Sequence, residues 1–407
     1  MTTFNTQISI KSLSGKLDNI LHDAIDRSKP QSFVPGVVGG VTNEKETVYL
    51  KAEGVENLNT AKPMTNNSIF CYYSCTKAIT TTAILQLWEK GLIDLDIPVK
   101  TYLPKIGKIG IIKELKDGKK PVTENAKADI TMRMLLTHTA GFSYAFFNDN
   151  YNRLLKSSGQ PNILSVDENT MDHTFLTYEP GTKWHYGMNL DWAGFVLEAI
   201  TGKSLEEYIT ENIFIPTNMT SCTFHLGSDK DAVAAHVRTS NGLSVAPFGP
   251  DKSPKLDMGG HGVFGTVDDY LKFIRIWLNE GTTSEGVQII KRETYQLAIQ
   301  NNLPEGLHIT NLESYDSRIT KSVDIDPELE PDTWCLGFAV SENDLPTGRP
   351  KGCLYWSGVA NLFYLIDIKN KIGIFWASQI FPFLDASADG FVDMESAVYD
   401  TWHSSTV

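Results

Sequence analysis

The chain has little of what would set it apart from an ordinary globular protein. Cysteine is scarce: five in 407 residues, at Cys71, Cys75, Cys222, Cys335 and Cys353. The count is odd, and Cys71 and Cys75 have no second Cys/His pair at zinc spacing, which argues against a disulfide framework or a zinc module. No run reaches 18 apolar residues, so no segment reads as a membrane span. Basic residues are in deficit: 36 Lys and Arg against 49 Asp and Glu leave a formal charge of −13. That excludes a broad nucleic-acid surface and an anchor on anionic lipid, because both need clustered cations. Internal repeats and low-complexity linkers are missing. The first 25 residues show no basic stretch followed by an apolar one, and His403–Val407 carries no retention or lipidation signal, so a cytoplasmic protein with free thiols is expected.

What is present is core-forming material. Apolar residues make up 41%, with 8 Trp, 15 Tyr and 19 Phe. Apolar positions recur at helical spacing from Ile8 to Arg27. Gly36–Thr42 and Thr47–Ala52 are β-branched runs around a polar turn and predict a hairpin. Leu336–Ser341, Cys353–Trp356, Asn361–Ile368 and Ile372–Ser378 read as strands, and Gly390–Trp402 as a closing helix. The middle is helical. Asn189–Ile200 stops at Gly202, Ser204 and Glu207 fit a capping box, and Thr266 opens a helix running to Gly281. Both ends are therefore strand-rich around a helix-rich centre. The expected architecture is α/β (α+β): one antiparallel sheet from residues 1–95 and 332–407, flanked by helices, with a mainly helical insert at 96–331. Lys105–Lys127 and Asn302–Pro331 read as surface loops.

Tyr72-Tyr73-Ser74-Cys75-Thr76-Lys77 follows a short strand and opens a helix expected over 76–90. A serine at a helix N-terminus has free N–H groups and a favourable dipole beside it. Lys77, one turn on, shares its face, and an amine there can take the hydroxyl proton or hold a group that does. The S-x-x-K pattern by itself also fits a capped helix with a solvated lysine. Its setting adds weight. Glu179-Pro180-Gly181 is a rigid turn that delivers Tyr186 just before a helix, and a phenol near an ammonium can act as acid or base. Tyr355-Trp356-Ser357-Gly358 lies on an expected strand. Its glycine would let a substrate approach the backbone, and a strand N–H could complete an oxyanion hole with that of Ser74.

In this order, S-x-x-K, a tyrosine motif and a glycine-bearing C-terminal strand resemble the serine β-lactamase and penicillin-binding-protein superfamily. Leu135–Gly141 is similar to its LLTHTSG segment, and Met258–Thr266 to its glycine-rich loop before a helix. Two departures narrow the resemblance. Tyr186-Gly187-Met188 has Met where class C β-lactamases have Asn. Trp356-Ser357-Gly358 stands where they have Lys-Thr-Gly, and tryptophan offers a β-lactam carboxylate no cation. W-x-G looks like the family VIII carboxylesterases and the fungal statin-type acyltransferases, and His185–Gly194 is especially similar to the latter. The resemblance implies Ser74 as nucleophile, with Lys77 and Tyr186 sharing its proton in an order the sequence leaves open. It implies an oxyanion hole from the N–H groups of Ser74 and Val359. It places Trp356, Gly358, Tyr73 and His261 at the substrate, and calls for no metal or organic cofactor. The substrate would be a small-molecule ester or acyl donor, with water or an alcohol as acceptor; β-lactam turnover would be weak or absent.

Rival readings remain. Gly141-Phe142-Ser143-Tyr144-Ala145 nearly matches the G-x-S-x-G nucleophile elbow but lacks its last glycine and its alternating strands and helices. His138, His185 and His261 are too scattered for a metal site. A non-catalytic binding protein on the same fold would keep the architecture, because fold does not fix function.

Overall fold

The computed structural model describes residues 7–115, 121–158, 171, 174–228 and 230–405. Along the strand Ile372–Ala377, side chains alternate between two buried clusters. Ile372, Ile374 and Trp376 join one, Phe375 and Ala377 the other. A strand apolar on both faces has to be covered on both. It lies inside an eight-stranded antiparallel sheet whose spatial order is 333–334, 339–340, 354–358, 362–367, 372–377, 36–42, 47–57 and 62–63. The two ends of the chain meet here, with Val38 opposite Ala377. The predicted hairpin forms between Gly36–Thr42 and Thr47–Asn57. Its turn is fixed by Asn43, whose Oδ1 accepts from the N–H groups of Lys45 (2.7 Å) and Glu46 (2.8 Å).

The terminal helices Gln7–Ala24 and Asp389–Ser405 pack together on one face, where Leu17, Leu21 and Met394 meet Trp376. The helix Val267–Leu278 covers the other, its N-cap Thr266 accepting from Asp269 N–H. Two sheet glycines let this helix come close. A Cβ at Gly40 would sit 2.7 Å from Leu271 Cδ1, and one at Gly373 only 2.4 Å from Ile274 Cγ2.

Thr76–Glu89 is buried on every side from Thr76 to Leu87, the mark of a central helix. It ends just before Gly91, at φ +66°. Asn189–Thr201 crosses it and closes at Gly202 in the left-handed conformation; the Ser204–Glu207 capping box follows as expected. The insert is less purely helical than its sequence implies. It carries the hairpin Ile111–Glu114 with Val122–Glu124 and a second with His236–Thr239 and Gly242–Val245, and its Phe264–Gly265 pairs with Phe70–Cys71 from outside it. Nor are the two expected loops simply surface. Ile106, Ile111 and Ile112 are buried in the first, whose residues 116–120 lie outside the described residues; Ile309, Leu312 and Ile319 are buried in the second. Apolar residues this isolated leave no period to read. Among the described residues no helix is long and apolar enough to cross a membrane.

Because the helix Val267–Leu278 rests directly on Gly373, Gly373→Val should overpack the contact and cost about 1–3 kcal/mol. A lowered urea midpoint at unchanged slope checks this; an unchanged midpoint would show that the helix yields freely.

Candidate active site

Ser74 and Lys77 are placed by what precedes them. Tyr72 N–H donates to Val263 O (2.8 Å), which anchors the chain as it leaves Phe70–Cys71. Tyr73 then turns with φ +47°, an uncommon conformation for an aromatic residue, and leads into the helix. Ser74 sits at that turn, 9% exposed, and Lys77 is 1% exposed below it. Lys77 Nζ stands 3.1 Å from Ser74 Oγ, 2.9 Å from Tyr144 Oη and 2.8 Å from Gly260 O. Burial brings the amine down to about 7, against the opposing pull of the Asp191 carboxylate.

Gly260 belongs to the glycine-rich stretch noted in the sequence, and the structure shows why it is glycine. The loop threads between the two crossing helices. Thr80 Oγ1 donates to Gly259 O (2.7 Å), and Gly260 N–H donates to Asp191 Oδ1 (2.8 Å). A Cβ at Gly259 would lie 2.5 Å from Leu190 O, and one at Gly260 2.6 Å from Asp191 Oδ2.

Tyr186 arrives from the Pro-Gly turn. Gly181 N–H donates to Thr139 O and His185 N–H to His138 O, tying the turn to the preceding segment. Gly187 presses on that segment too, where a Cβ would meet Phe142 O at 2.5 Å. Tyr186 is 5% exposed. Its hydroxyl accepts from Trp356 Nε1 (3.0 Å) and lies near enough to the Ser74 side chain to feel it. Its ring centroid lies 4.7 Å from Lys77 Nζ. Burial pushes the phenol well above its ordinary range, with the Ser74 and Trp356 side chains pulling the other way. The three residues singled out for chemistry thus converge.

They open onto a cavity of about 460 Å3 lined by Ser74, Tyr186, Trp356 and Val359 among others. No hydrogen bond from the Val359 N–H is found among the described residues. Much of the wall comes from the segment read as a loop, through Ile309, Leu312, Val323 and Leu329. The remaining predicted contacts lie elsewhere. Tyr73 is buried in the core with its ring edge-on to Phe381 (5.8 Å) and does not line the cavity. His261 stands behind Lys77, Nδ1 3.6 Å from Asp191 Oδ1. Gly358 answers to the backbone of Tyr72: a Cβ there would lie 2.6 Å from Tyr72 O.

The rival serine has a histidine of its own. Ser143 Oγ is 2.8 Å from His185 Nε2 and donates to Tyr144 O (3.1 Å). Both residues are buried away from the cavity. Burial and the Lys183 charge bring His185 down to about 4. His138 is buried neutral, its Nδ1 2.9 Å from Asn189 Nδ2 and its ring 4.7 Å from that of Tyr186. Among the described residues no group of three His, Cys, Asp or Glu could hold a metal ion. Sequence reasoning missed Tyr144 and Asp191. The only signal for Asp191 was an acid in the first turn of an apolar helix, which reads as a dipole partner; Tyr144 was hidden in the rival serine motif.

The architecture and the motifs agree with known proteins. Residues 21–397 match the Beta-lactamase family. A lovastatin esterase of Penicillium rubens is 29% identical over 373 residues, covering 88% of this chain and 90% of its own. A monacolin J acid methylbutanoyltransferase of Aspergillus terreus is 30% identical, covering 77% of each. Among solved structures, a mutant simvastatin synthase of Aspergillus terreus superposes with a TM-score of 0.80 at 25% identity, covering 97% of this chain and 96% of the other. With the family matched along nearly its whole length, the chain belongs to the Beta-lactamase family.

Proposed function

We propose that this protein is a serine ester hydrolase that works through an acyl-serine intermediate, with Ser74 as nucleophile, Lys77 as its base and Tyr186 as the acid for the leaving alkoxide. The convergence of Ser74, Lys77 and Tyr186 at the mouth of one cavity carries the reading. Burial divides the roles. The amine is held near neutrality, so much of it is free base at pH 7, while the phenol keeps its proton. Lys77 takes the Ser74 proton as Oγ attacks the ester carbonyl. Negative charge collects on the former carbonyl oxygen, where the N–H groups of Ser74 and Val359 receive it. As the tetrahedral intermediate collapses, the C–O bond breaks, Tyr186 protonates the alkoxide and Lys77 returns a proton to Tyr186. Water or an alcohol then attacks the acyl-enzyme by the same route in reverse.

Trp356 has two functions here. Its indole forms part of the wall, and its N–H holds the Tyr186 oxygen without adding charge. The cavity favours neutral, bulky, largely apolar esters. Arg349 is the one cation among the described lining residues, and Glu395 engages it through two nitrogens. Asp324, Asp326 and Glu330 lie exposed at the rim. Nothing there would draw in a β-lactam carboxylate. Acyl transfer to an alcohol is the second reading, supported by acyltransferases among the relatives.

In a panel of esters of varied acyl length, with and without alcohol acceptors, Ser74→Ala should lower turnover about ten-thousand-fold while Ser143→Ala leaves it intact. The reverse would move the site, and nitrocefin turnover rivalling ester turnover would overturn the substrate class. The kcat/KM profile should rise with pH and level off above about 7, because the ammonium form has no lone pair to offer; a flat profile from pH 5 upward would remove Lys77 from the role. Trp356→Phe keeps the wall but strips a buried oxygen of its donor, and should cut kcat about ten-fold with little change in KM.

A further inference from the structure

The family's tyrosine motif has an asparagine two residues after the tyrosine, and here that place is Met188. Met188 does not face the amine: its Sδ accepts from Tyr151 Oη at 3.6 Å. Asn189, one step later, meets His138. Something else must hold the third direction of Lys77 Nζ, and the structure supplies Tyr144.

A neutral amine has two N–H bonds and one lone pair, arranged tetrahedrally. To accept a proton from Ser74, Lys77 must aim the lone pair at Oγ and its two N–H groups elsewhere. Gly260 O, an acceptor only, takes one at 2.8 Å, and Tyr144 Oη is positioned for the other at 2.9 Å. Asp191 supports both. It fixes the Gly260 peptide through the N–H bond to Oδ1, and its charge acts directly on the Tyr144 phenol. The carboxylate is fully buried, and Oδ2 makes no direct hydrogen bond among the described residues, although the Tyr144 hydroxyl is near enough to interact with the carboxylate. An unpaired buried oxygen is costly to maintain. It is explained if the carboxylate serves the charge that forms on Lys77 during the reaction.

We infer that Tyr144 and Asp191 are positioning residues for Lys77, Tyr144 by accepting one amine N–H and Asp191 by fixing the Gly260 carbonyl and balancing the ammonium, so that the free lone pair is directed at Ser74. The inference rests on the esterase reading above and names what sets its base. Gly187 makes the arrangement possible, because its contact with Phe142 O brings the Tyr144 and Tyr186 segments to the amine together. The charges and titratable groups facing Lys77 are few. Asp191 favours the ammonium, and Cys75 on its own helix adds weakly in the same direction. Tyr186 lies across the site, His261 stands behind Asp191, and His138 is held neutral, partly by the Lys77 charge. Removing either proposed support therefore disfavours the ammonium and moves the acid limb of activity to lower pH.

The test compares wild type, Ser74→Ala, Tyr144→Phe and Asp191→Asn on one p-nitrophenyl ester across pH. Tyr144→Phe should lower kcat about 10–100-fold, leave KM within about two-fold, and shift the acid limb of kcat/KM down by about half a unit or more. Asp191→Asn should shift it further in the same direction. A purely structural defect would scale the whole profile and leave its limb in place. Limbs unmoved, or kcat within about two-fold of wild type, would overturn the inference while leaving the Ser74-dependent activity standing. Wild-type turnover that survives Ser74→Ala would overturn the esterase reading, and this inference with it. Tyr144→Phe removes a single oxygen and decides the matter alone should Asp191→Asn fail to fold.

Discussion

The site depends on the burial of one amine. Lys77 lies almost wholly out of water, and desolvation is the largest influence on its protonation. In bulk water the group would be an ammonium with no lone pair to use. Enclosed between two helices and a glycine loop, the amine has its protonation brought down to about pH 7. The same burial works against folding, since a charged group would have to be stripped of water to enter. The surroundings answer with rigidity rather than with a close ion pair. Asp191 is near enough to be felt but does not touch Nζ, so the amine is not locked as an ammonium. A carboxylate in direct contact would favour the charged form and remove the base.

That balance needs close backbone approach, which explains where the glycines fall. Gly259 and Gly260 let the loop lie against Leu190 and Asp191, Gly187 seats the Tyr186 turn on Phe142, and Gly358 passes Tyr72 O. Each contact joins a chemical group to a distant element, and each would be lost to a single added methyl group. The sheet supports the arrangement from below. The strand Leu354–Gly358 pairs with Leu362–Asp367 in unbroken register and holds Trp356 over the Tyr186 hydroxyl. A neutral indole at that point steadies the phenol without the field a lysine would add. The departure from the lactamase pattern therefore changes the electrostatics of the proton-transfer group as well as the shape of the pocket.

Features encoded locally were the ones legible in the sequence. The hairpin at Asn43, the capping box at Ser204 and the helix stop at Gly202 each follow from a few adjacent residues. The S-x-x-K spacing places Ser74 and Lys77 on one helix face by geometry alone. Tyr186 became readable through the turn that delivers it and through family resemblance. Features created only by long-range contact were not legible. Tyr144 and Lys77 are 67 positions apart, and nothing near Tyr144 hints at an amine. Asn302–Pro331 looked like a loop because its apolar residues have no period, yet they line the cavity. Tyr73 seemed a substrate contact because it adjoins the nucleophile, but the turn that exposes Ser74 sends the Tyr73 ring into the core.

The two serine sites in the chain show why a hydrogen bond between a hydroxyl and a base does not make a nucleophile. Ser143 and His185 are closer than Ser74 and Lys77, at 2.8 Å against 3.1 Å. Yet the Ser143 hydroxyl also reaches the Tyr144 carbonyl, an acceptor that competes with His185 Nε2 for its single proton. Burial and the Lys183 charge outweigh the favourable Phe147 backbone and bring the protonation of His185 down to about pH 4. Neither residue lines the cavity onto which Ser74 opens. At Ser74 the surroundings differ: the neighbouring amine is held near neutrality, Gly260 O and the Asp191 carboxylate stand close to it, and open space meets the oxygen. Reactivity here follows from where a proton can go and where a substrate can stand, and the 0.3 Å advantage in distance counts for nothing without them.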